Sequence, residues 1–176
     1  IDMIVATAQR TNANASDGIM DMFASDTPEP IPLTQNVEPW NLADRLERDN
    51  REALRLTGAI KTKGDASLLY EVADAETWAH LGLHLAEKLR GAVALQSFRQ
   101  GGGDEQKARA VAHLERALGH WDEVVRITRP LYRDMKLTHY NHNFFVANDR
   151  NLFHWALVRN EVATDVAIAR AARVGE

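Results

Sequence analysis

Apolar residues recur at every third or fourth position from Trp40 onward, which is the spacing of one face of an α-helix. In the first such stretch, Asp, Glu and Arg fill the positions between the apolar residues Leu42, Leu46, Ala53, Leu56 and Ile60. Pro39 suits a position just before this helix or in its first turn. Gly64 is expected to end it. The pattern therefore predicts a first amphipathic helix between these two residues.

The next stretch predicts a longer and more apolar helix at about residues 66–99, which Asp65 can cap at its N-terminus. It carries two apolar stripes rather than one. The first stripe contains Leu69, Val72, Ala79, Leu83, Ala86 and Val93, and the second contains Trp78, Leu81, Leu85, Ala92 and Leu95. A helix with two apolar stripes is contacted from two sides, so we expect this helix to be central.

Two further helices follow the three glycines at 101–103, which are too flexible to remain helical. Asp104 is expected to cap the third helix, which Pro130 kinks or which ends near Thr128. The fourth helix is predicted to begin at about Asn148 or Asp149 and to carry an apolar stripe at heptad spacing. No segment alternates with a period of two, so we expect essentially no sheet.

These helices and their short connections predict an all-α fold, an antiparallel up-down four-helix bundle with an extended N-terminal segment. Four of the chain's five prolines fall within residues 28–39. We therefore expect residues 1–39 to be an N-terminal segment and proline-rich linker from a preceding domain, and residues 40–176 to be the bundle domain. The chain starts at Ile1 without a signal-peptide pattern, so we expect a removed upstream segment or a piece of a longer polypeptide.

Composition narrows the classes of partner. The formal net charge is −4, from 21 Lys and Arg against 25 Asp and Glu, and the basic residues are scattered, so we expect no nucleic-acid partner. No apolar run reaches the length of about 18 residues that a membrane-spanning helix needs, so we expect no membrane partner. There is no cysteine, which excludes disulfides, zinc–thiolate sites and cysteine nucleophiles. No pattern for an organic cofactor is present, and none is expected.

One candidate metal site lies in the second helix, where His80, His84 and Glu87 follow at spacings of four and three residues. Two imidazoles one turn apart with a carboxylate can bind a divalent metal. A di-metal bundle of the ferritin type would need Glu-x-x-His motifs, which the chain lacks. The sequence therefore favours a hydrated or packing stripe over a metal site at these positions.

A second candidate site is the sequence LTHYNHNFF at residues 137–145. Aromatic rings with amide and imidazole donors resemble a sugar-binding surface, and the same residues suit a packing corner that closes one end of the bundle. We favour the packing corner and keep ligand contact as the alternative. The candidate ligand-binding residues are His139, Tyr140, Asn141, His142, Asn143 and Trp155.

Four stretches of the bundle together resemble one known group of proteins: EPWNLADRLERDNREAL, AHLGLHLAEKLRGAVALQSF, AVAHLERALGHW and TDVAIAR. They are similar to the helical C-terminal region of large secreted bacterial proteins associated with glycoside hydrolases and carbohydrate-binding modules. The resemblance spans about residues 37–170, and His84 and Leu85 stand where that group tends to have paired tyrosines. No catalytic residues are carried over.

The resemblance implies a non-catalytic accessory domain of a secreted or periplasmic polysaccharide-processing protein. Its partners would be the preceding domain of the same polypeptide and a glycan. A stand-alone protein-interaction module is the alternative, and it predicts a contiguous exposed apolar patch. A metal-binding bundle is the third hypothesis, and it predicts that His80 and His84 are oriented together.

Overall fold

The computed structural model describes residues 39–136 and 152–175, in which four α-helices pack side by side. The helices are α1 (Pro39–Thr57), α2 (Ala66–Arg99), α3 (Asp104–Thr128) and α4 (Trp155–Ala171). The prediction of an all-α four-helix bundle is confirmed for this part of the chain. The predicted extended N-terminal segment, up to residue 38, and the motif at 137–145 lie outside the described residues.

Each helix runs antiparallel to the next one along the chain. Arg90 of α2 binds Asp44 near the start of α1, and His84 of α2 contacts Ala117 of α3. The main helix contacts are α1 with α2, α2 with α3, and α3 with α4. One ion pair of 2.6 Å, between Lys88 and Asp165, also joins α2 to α4. The prediction that the second helix is central is therefore confirmed.

Local signals set most helix ends. The Asp65 carboxylate accepts a hydrogen bond of 3.1 Å from the backbone N–H of Leu68, so the predicted cap of α2 is confirmed. The predicted cap of α3 is wrong by one residue: Gly103 occupies the cap position, and Asp104 is the first helical residue. At this position its carboxylate still stabilises the helix, because the negative charge lies near the positive end of the helix dipole. Helix α3 ends at Thr128, one of the two predicted outcomes.

The two remaining boundaries differ from the predictions. Helix α1 ends at Thr57 rather than near Gly64, and the backbone N–H of Gly58 closes its last turn on Leu54. The fourth helix does not include the residues just before Trp155. Strand β2 (Leu152–Phe153) instead pairs antiparallel with β1 (Met135–Lys136), a small sheet that the period-two test did not predict. The spacing of three between Leu152 and Trp155 mimics a helical face, which explains the error.

The best-buried region lies where α2, α3 and α4 meet. It is formed by Leu95, Phe98, Ala110, Leu114, Val166 and Ala169. The backbones of α2 and α3 approach closely there, because a Cβ added at Gly91 would lie 2.8 Å from Cγ of Leu114. The small residue therefore sets the distance between the two central helices.

The second apolar stripe of α2 is only partly buried. Leu95 and Ala92 belong to the core, whereas Trp78 and Leu85 are exposed, so the prediction is wrong for these two residues. The reason is the position of α4 along α2. The polar contacts from α4 and from the residues after it reach α2 at Lys88 and at Arg99, both in the C-terminal half of that helix.

Candidate functional site

Histidines line the seam between α2 and α3. The Nδ1 atoms of His80 and His120 lie 3.3 Å apart, and their ring centroids are separated by 5.5 Å. Both side chains are half-buried. Burial lowers the pKa of each imidazole below its ordinary value, because loss of water disfavours the charged form. Both rings are therefore neutral at neutral pH.

His84 lies one turn further along α2 and is buried. Its Nδ1 donates a hydrogen bond of 2.9 Å to the carbonyl oxygen of Ala117, so Nδ1 carries the proton. Its ring meets Trp121 edge to face at a centroid distance of 5.2 Å. Burial is the main cause that lowers the pKa of His84. This histidine is a packed, hydrogen-bonded part of the seam.

Glu87 continues the seam and is buried with charged partners. Its carboxylate lies 2.7 Å from Nδ1 of His113 and accepts a hydrogen bond of 3.0 Å from Nε of Arg116. It also lies 3.4 Å from Arg90, which in turn binds Glu47 of α1 at 2.7 Å. This network ties α1, α2 and α3 together, and a buried carboxylate of this kind is stable only because it is paired.

The three residues of the predicted metal set therefore have separate partners. His80 meets His120, His84 binds a backbone carbonyl, and Glu87 binds cationic side chains. Within residues 39–136 and 152–175, no group of three or more His, Asp or Glu is arranged to hold a metal. His84 and Glu87 are covered by α3, so within the favoured hydrated or packing stripe these two residues pack and do not face water.

An aromatic cluster forms where α3, β2 and the start of α4 meet. The ring of Trp155 lies 5.4 Å from Phe153 and 6.3 Å from Tyr132, and Tyr132 lies 5.9 Å from Tyr70. The indole N–H of Trp121 donates a hydrogen bond of 3.0 Å to the backbone oxygen of Trp155. These contacts hold the start of α4 against the end of α3, and Tyr132, which follows α3, in turn contacts the start of α2.

Two polar groups serve this cluster. The Tyr132 hydroxyl donates a hydrogen bond to the carboxylate of Asp74, which raises the pKa of Tyr132 to about 12. His154 caps α4, and its Nδ1 accepts a hydrogen bond of 3.0 Å from the backbone N–H of Ala156. The first interaction fixes the position of Tyr132 after α3, and the second fixes the start of α4. The rings of Tyr132 and Trp155 therefore stay in contact.

The predicted ligand-binding residues meet different outcomes. His139, Tyr140, Asn141, His142 and Asn143 lie outside the described residues. Trp155 is described, and it packs on rings within the aromatic cluster. The choice between a packing corner and ligand contact concerns residues 137–145 and stays a prediction.

A third feature is an apolar surface that we call the outer face. It consists of Leu42 and Leu56 on α1 with Trp78, Leu81 and Leu85 on α2. Trp78 is 71% exposed and Leu56 is 53% exposed. An exposed tryptophan flanked by leucines is unusual for a surface with no partner.

The ion pairs between α1 and α2 show that the outer-face residues share one side of the bundle. Asn50 packs on Gly82 where the two helices cross. Arg90 binds Asp44 and Glu47 on one side of that crossing. At about 100° of rotation per residue, the outer-face residues of both helices point to the opposite side. The charged and apolar sides of the α1–α2 pair are therefore separate.

An open groove of about 650 Å³ lies between α3 and α4. Leu118, Val166 and Ala167 form part of its wall, and Arg170 binds Glu115 at 2.5 Å beside it. Among the described residues, its wall contains no histidine, and Glu115 and Arg170 neutralise each other.

Comparisons with protein-family models, with curated proteins and with solved structures find no match to this chain. No helix in the described part of the chain is both long enough and apolar enough to cross a membrane. The site must therefore be interpreted from its own geometry.

The sequence contains one signal that gives the partners within the histidine seam. If α2 folds back on α3 about the glycine turn, residues equally far from Gln100 in sequence lie opposite each other. His80 and His120 are each twenty residues from Gln100, and Glu87 and His113 are each thirteen residues from it. Both pairs are in contact in the structure.

Proposed function

We propose that this chain is a non-catalytic helical accessory module that docks on a neighbouring protein domain through the outer face. The observation that carries the proposal is that Trp78 exposes 71% of its surface on the same side of the bundle as the exposed leucines Leu42, Leu56 and Leu85. Tryptophan is among the residues that contribute most to protein interfaces, because a single ring removes a large apolar area from water on binding.

The chemistry of the outer face favours a protein partner over a glycan. Its side chains on α2 are Trp78, Leu81 and Leu85, and on α1 they are Leu42 and Leu56. Leucines offer no hydrogen bonds to sugar hydroxyls, which a glycan site needs beside its aromatic ring. An apolar surface on a partner domain would bury all five side chains away from water.

The buried ionisable groups support a non-catalytic role. Glu87 binds Arg90 and Arg116, and Asp165 binds Lys88, so both acids hold helices together. A general acid or base must reach a substrate from a cleft. These carboxylates instead lie in helix–helix contacts.

The resemblance to helical C-terminal regions of secreted carbohydrate-active proteins supports the wider setting of the proposal. In that setting the partner is the preceding domain of the same polypeptide, and the protein is secreted or periplasmic. The glycan would bind the partner domain, and the module would support that domain.

A stand-alone interaction module is the second candidate, and the same outer face favours it. Two antiparallel helices with apolar residues along one side can accept a third amphipathic helix. The two candidates differ in whether the occupant is part of the same polypeptide.

Hydroxyl-radical footprinting of the natural full-length polypeptide and of the isolated bundle tests the proposal. We expect Trp78 and Leu85 to be oxidised several-fold more slowly in the full-length polypeptide, because a docked domain shields them. Leu157 of α4 is the matched control: it is 49% exposed, is not one of the outer-face residues, and should react equally in both samples.

Three outcomes would be informative. Equal oxidation of Trp78 in both samples contradicts docking through the outer face. A natural polypeptide without any further domain contradicts the accessory role and leaves the stand-alone module. Protection by added soluble oligosaccharide at Tyr132 and Trp155, with Trp78 unchanged, would move the function to the aromatic cluster.

A further inference from the structure

We propose that His80 and His120 form an exchangeable binding site for a divalent transition metal such as Zn²⁺, bridging α2 and α3. This site differs from the set that sequence spacing indicated, because its two ligands come from two helices. It is also independent of the outer face and of the docking function proposed above.

The distance between the two Nδ1 atoms carries the inference. Two nitrogen ligands at about 2.0–2.1 Å from a tetrahedral zinc ion are separated by about 3.3–3.4 Å. The two Nδ1 atoms lie 3.3 Å apart. Without metal, the two rings can share an N–H···N hydrogen bond at this distance, which a bound ion would replace. A small rotation of either ring lets both lone pairs converge on one ion.

The position of the pair suits an exchangeable ion. Both rings are half-buried, so one side of the pair reaches solvent. Water can therefore complete the coordination sphere, as it does in sites with an open position. Metal binding would then join α2 to α3 at residues forty apart in sequence.

The charged groups around the pair favour a cation overall. Glu76 of α2 and Glu123 of α3 both act on His80 through their negative charge, and Arg126 of α3 opposes them. Arg126 is paired with Glu123 at 2.7 Å, so these two charges largely cancel and the charge of Glu76 favours a cation. On the α1 side, Arg51 acts on His120 and is paired with Glu47 at 2.8 Å.

Ligand chemistry restricts which ions fit. Imidazole nitrogen suits Zn²⁺, Ni²⁺ and Cu²⁺, whereas Mg²⁺ and Ca²⁺ prefer oxygen ligands. We therefore expect binding of the first group and none of the second at this pair.

Calorimetric titration with Zn²⁺ at pH 7.5, together with thermal melting with and without the metal, tests the site. We expect one Zn²⁺ per chain and a higher melting temperature when Zn²⁺ is present. The variants His80→Gln and His120→Gln should each bind at least about tenfold more weakly and lose most of the melting shift. Mg²⁺ should produce no shift.

His113→Gln is the matched control, because His113 is also on α3 but binds Glu87 rather than His120. It should retain wild-type affinity for Zn²⁺. The imidazole ¹⁵N spectrum of the wild-type chain provides a measurement that needs no variant: Zn²⁺ should shift the Nδ1 signals of both His80 and His120. Unchanged Nδ1 signals would refute the site. Full affinity for Zn²⁺ in a variant that carries both His80→Gln and His120→Gln would also refute it and would place the bound metal on other histidines.

Discussion

The seam between α2 and α3 and the outer face of α1 and α2 share one helix but are built in opposite ways. In the seam, small residues bring the backbones together and every histidine or acid described above has a partner. On the outer face, large apolar side chains such as Trp78 remain exposed. The difference separates the surface that stabilises the bundle from the surface available to a partner.

This comparison also explains why α2 is apolar on two stripes. One stripe is used within the chain, where Ala79, Leu83 and Ala86 are buried. The other is used within the chain only toward the C-terminal half of the helix, where Ala92 and Leu95 are buried. Hydrophobic pattern alone does not distinguish a side chain that packs inside the molecule from one that packs against another protein.

The largest expected difference is between a seam leucine and an outer-face leucine. Leu114→Ala should lower the free energy of unfolding by about 2–5 kcal/mol, because Leu114 is buried and the change leaves a cavity. Leu85→Ala, at a residue 40% exposed, should cost less than about 1 kcal/mol. Urea unfolding followed by circular dichroism measures both. Equal losses would mean that the outer face is part of the stabilising core.

Removing the buried carboxylate of the seam should have the next largest effect. Glu87→Ala should cost about 2 kcal/mol, because Arg116 and His113 lose a buried partner while Arg90 keeps Asp44 and Glu47. Glu52→Ala is the control. Glu52 pairs with Arg55 on the exposed surface of α1, so we expect no measurable change in the urea midpoint.

Two glycines of α2 test how closely each neighbour approaches. Gly91→Ala should cost about 1–3 kcal/mol, because the new methyl group would press on the buried side chain of Leu114. At Gly82 the three atoms nearest to a new methyl group all belong to the side-chain amide of Asn50, which can rotate away if it gives up its hydrogen bond to Leu46. The better helix propensity of alanine offsets this loss, so we expect a change within about 1 kcal/mol of neutral. Thermal melting of the two variants should rank them in this order, and a less stable Gly82→Ala variant would contradict it.

The smallest expected effect is a dependence of stability on pH. Burial lowers the pKa of His84 below the value of 6.5 that it has when unfolded. The folded state therefore binds the proton more weakly than the unfolded state, so stability is fully present above pH 6.5 and falls as the pH decreases toward the folded pKa. One histidine contributes less than about 1.4 kcal/mol per pH unit.

Urea midpoints between pH 8 and pH 5 in metal-free buffer should show this decrease, to which the His80–His120 pair adds in the same direction. The His84→Gln variant should show a shallower decrease than the wild type. A steeper decrease in the variant would mean that His84 is not the neutral, buried group described above.

The fold could be predicted to the extent that local signals determine it. Asp65 and the glycine turn lie next to the ends of α2, and the predicted span of 66–99 agrees with Ala66–Arg99. The start of α4 could not be predicted in the same way. Leu152 pairs through its backbone with Lys136, a residue sixteen positions away, and no local spacing encodes that pairing.

The site was less predictable, because it depends on how helices are aligned. Spacing within one helix grouped His80 with His84, whereas the register between α2 and α3 pairs His80 with His120. Likewise, Trp78 has the spacing of a core residue, and its exposure follows from where α4 meets α2. Both features become predictable only after the glycine turn has been used to align the two helices.

The short glycine turn between α2 and α3 also has a consequence for the order of folding. Few residues separate Arg99 from Asp104, so the loop that must close costs little chain entropy. Helix α4 must instead return across the longer stretch between Thr128 and Trp155. We therefore expect the helical hairpin of α2 and α3 to form the folding nucleus, with the last helix attaching afterwards.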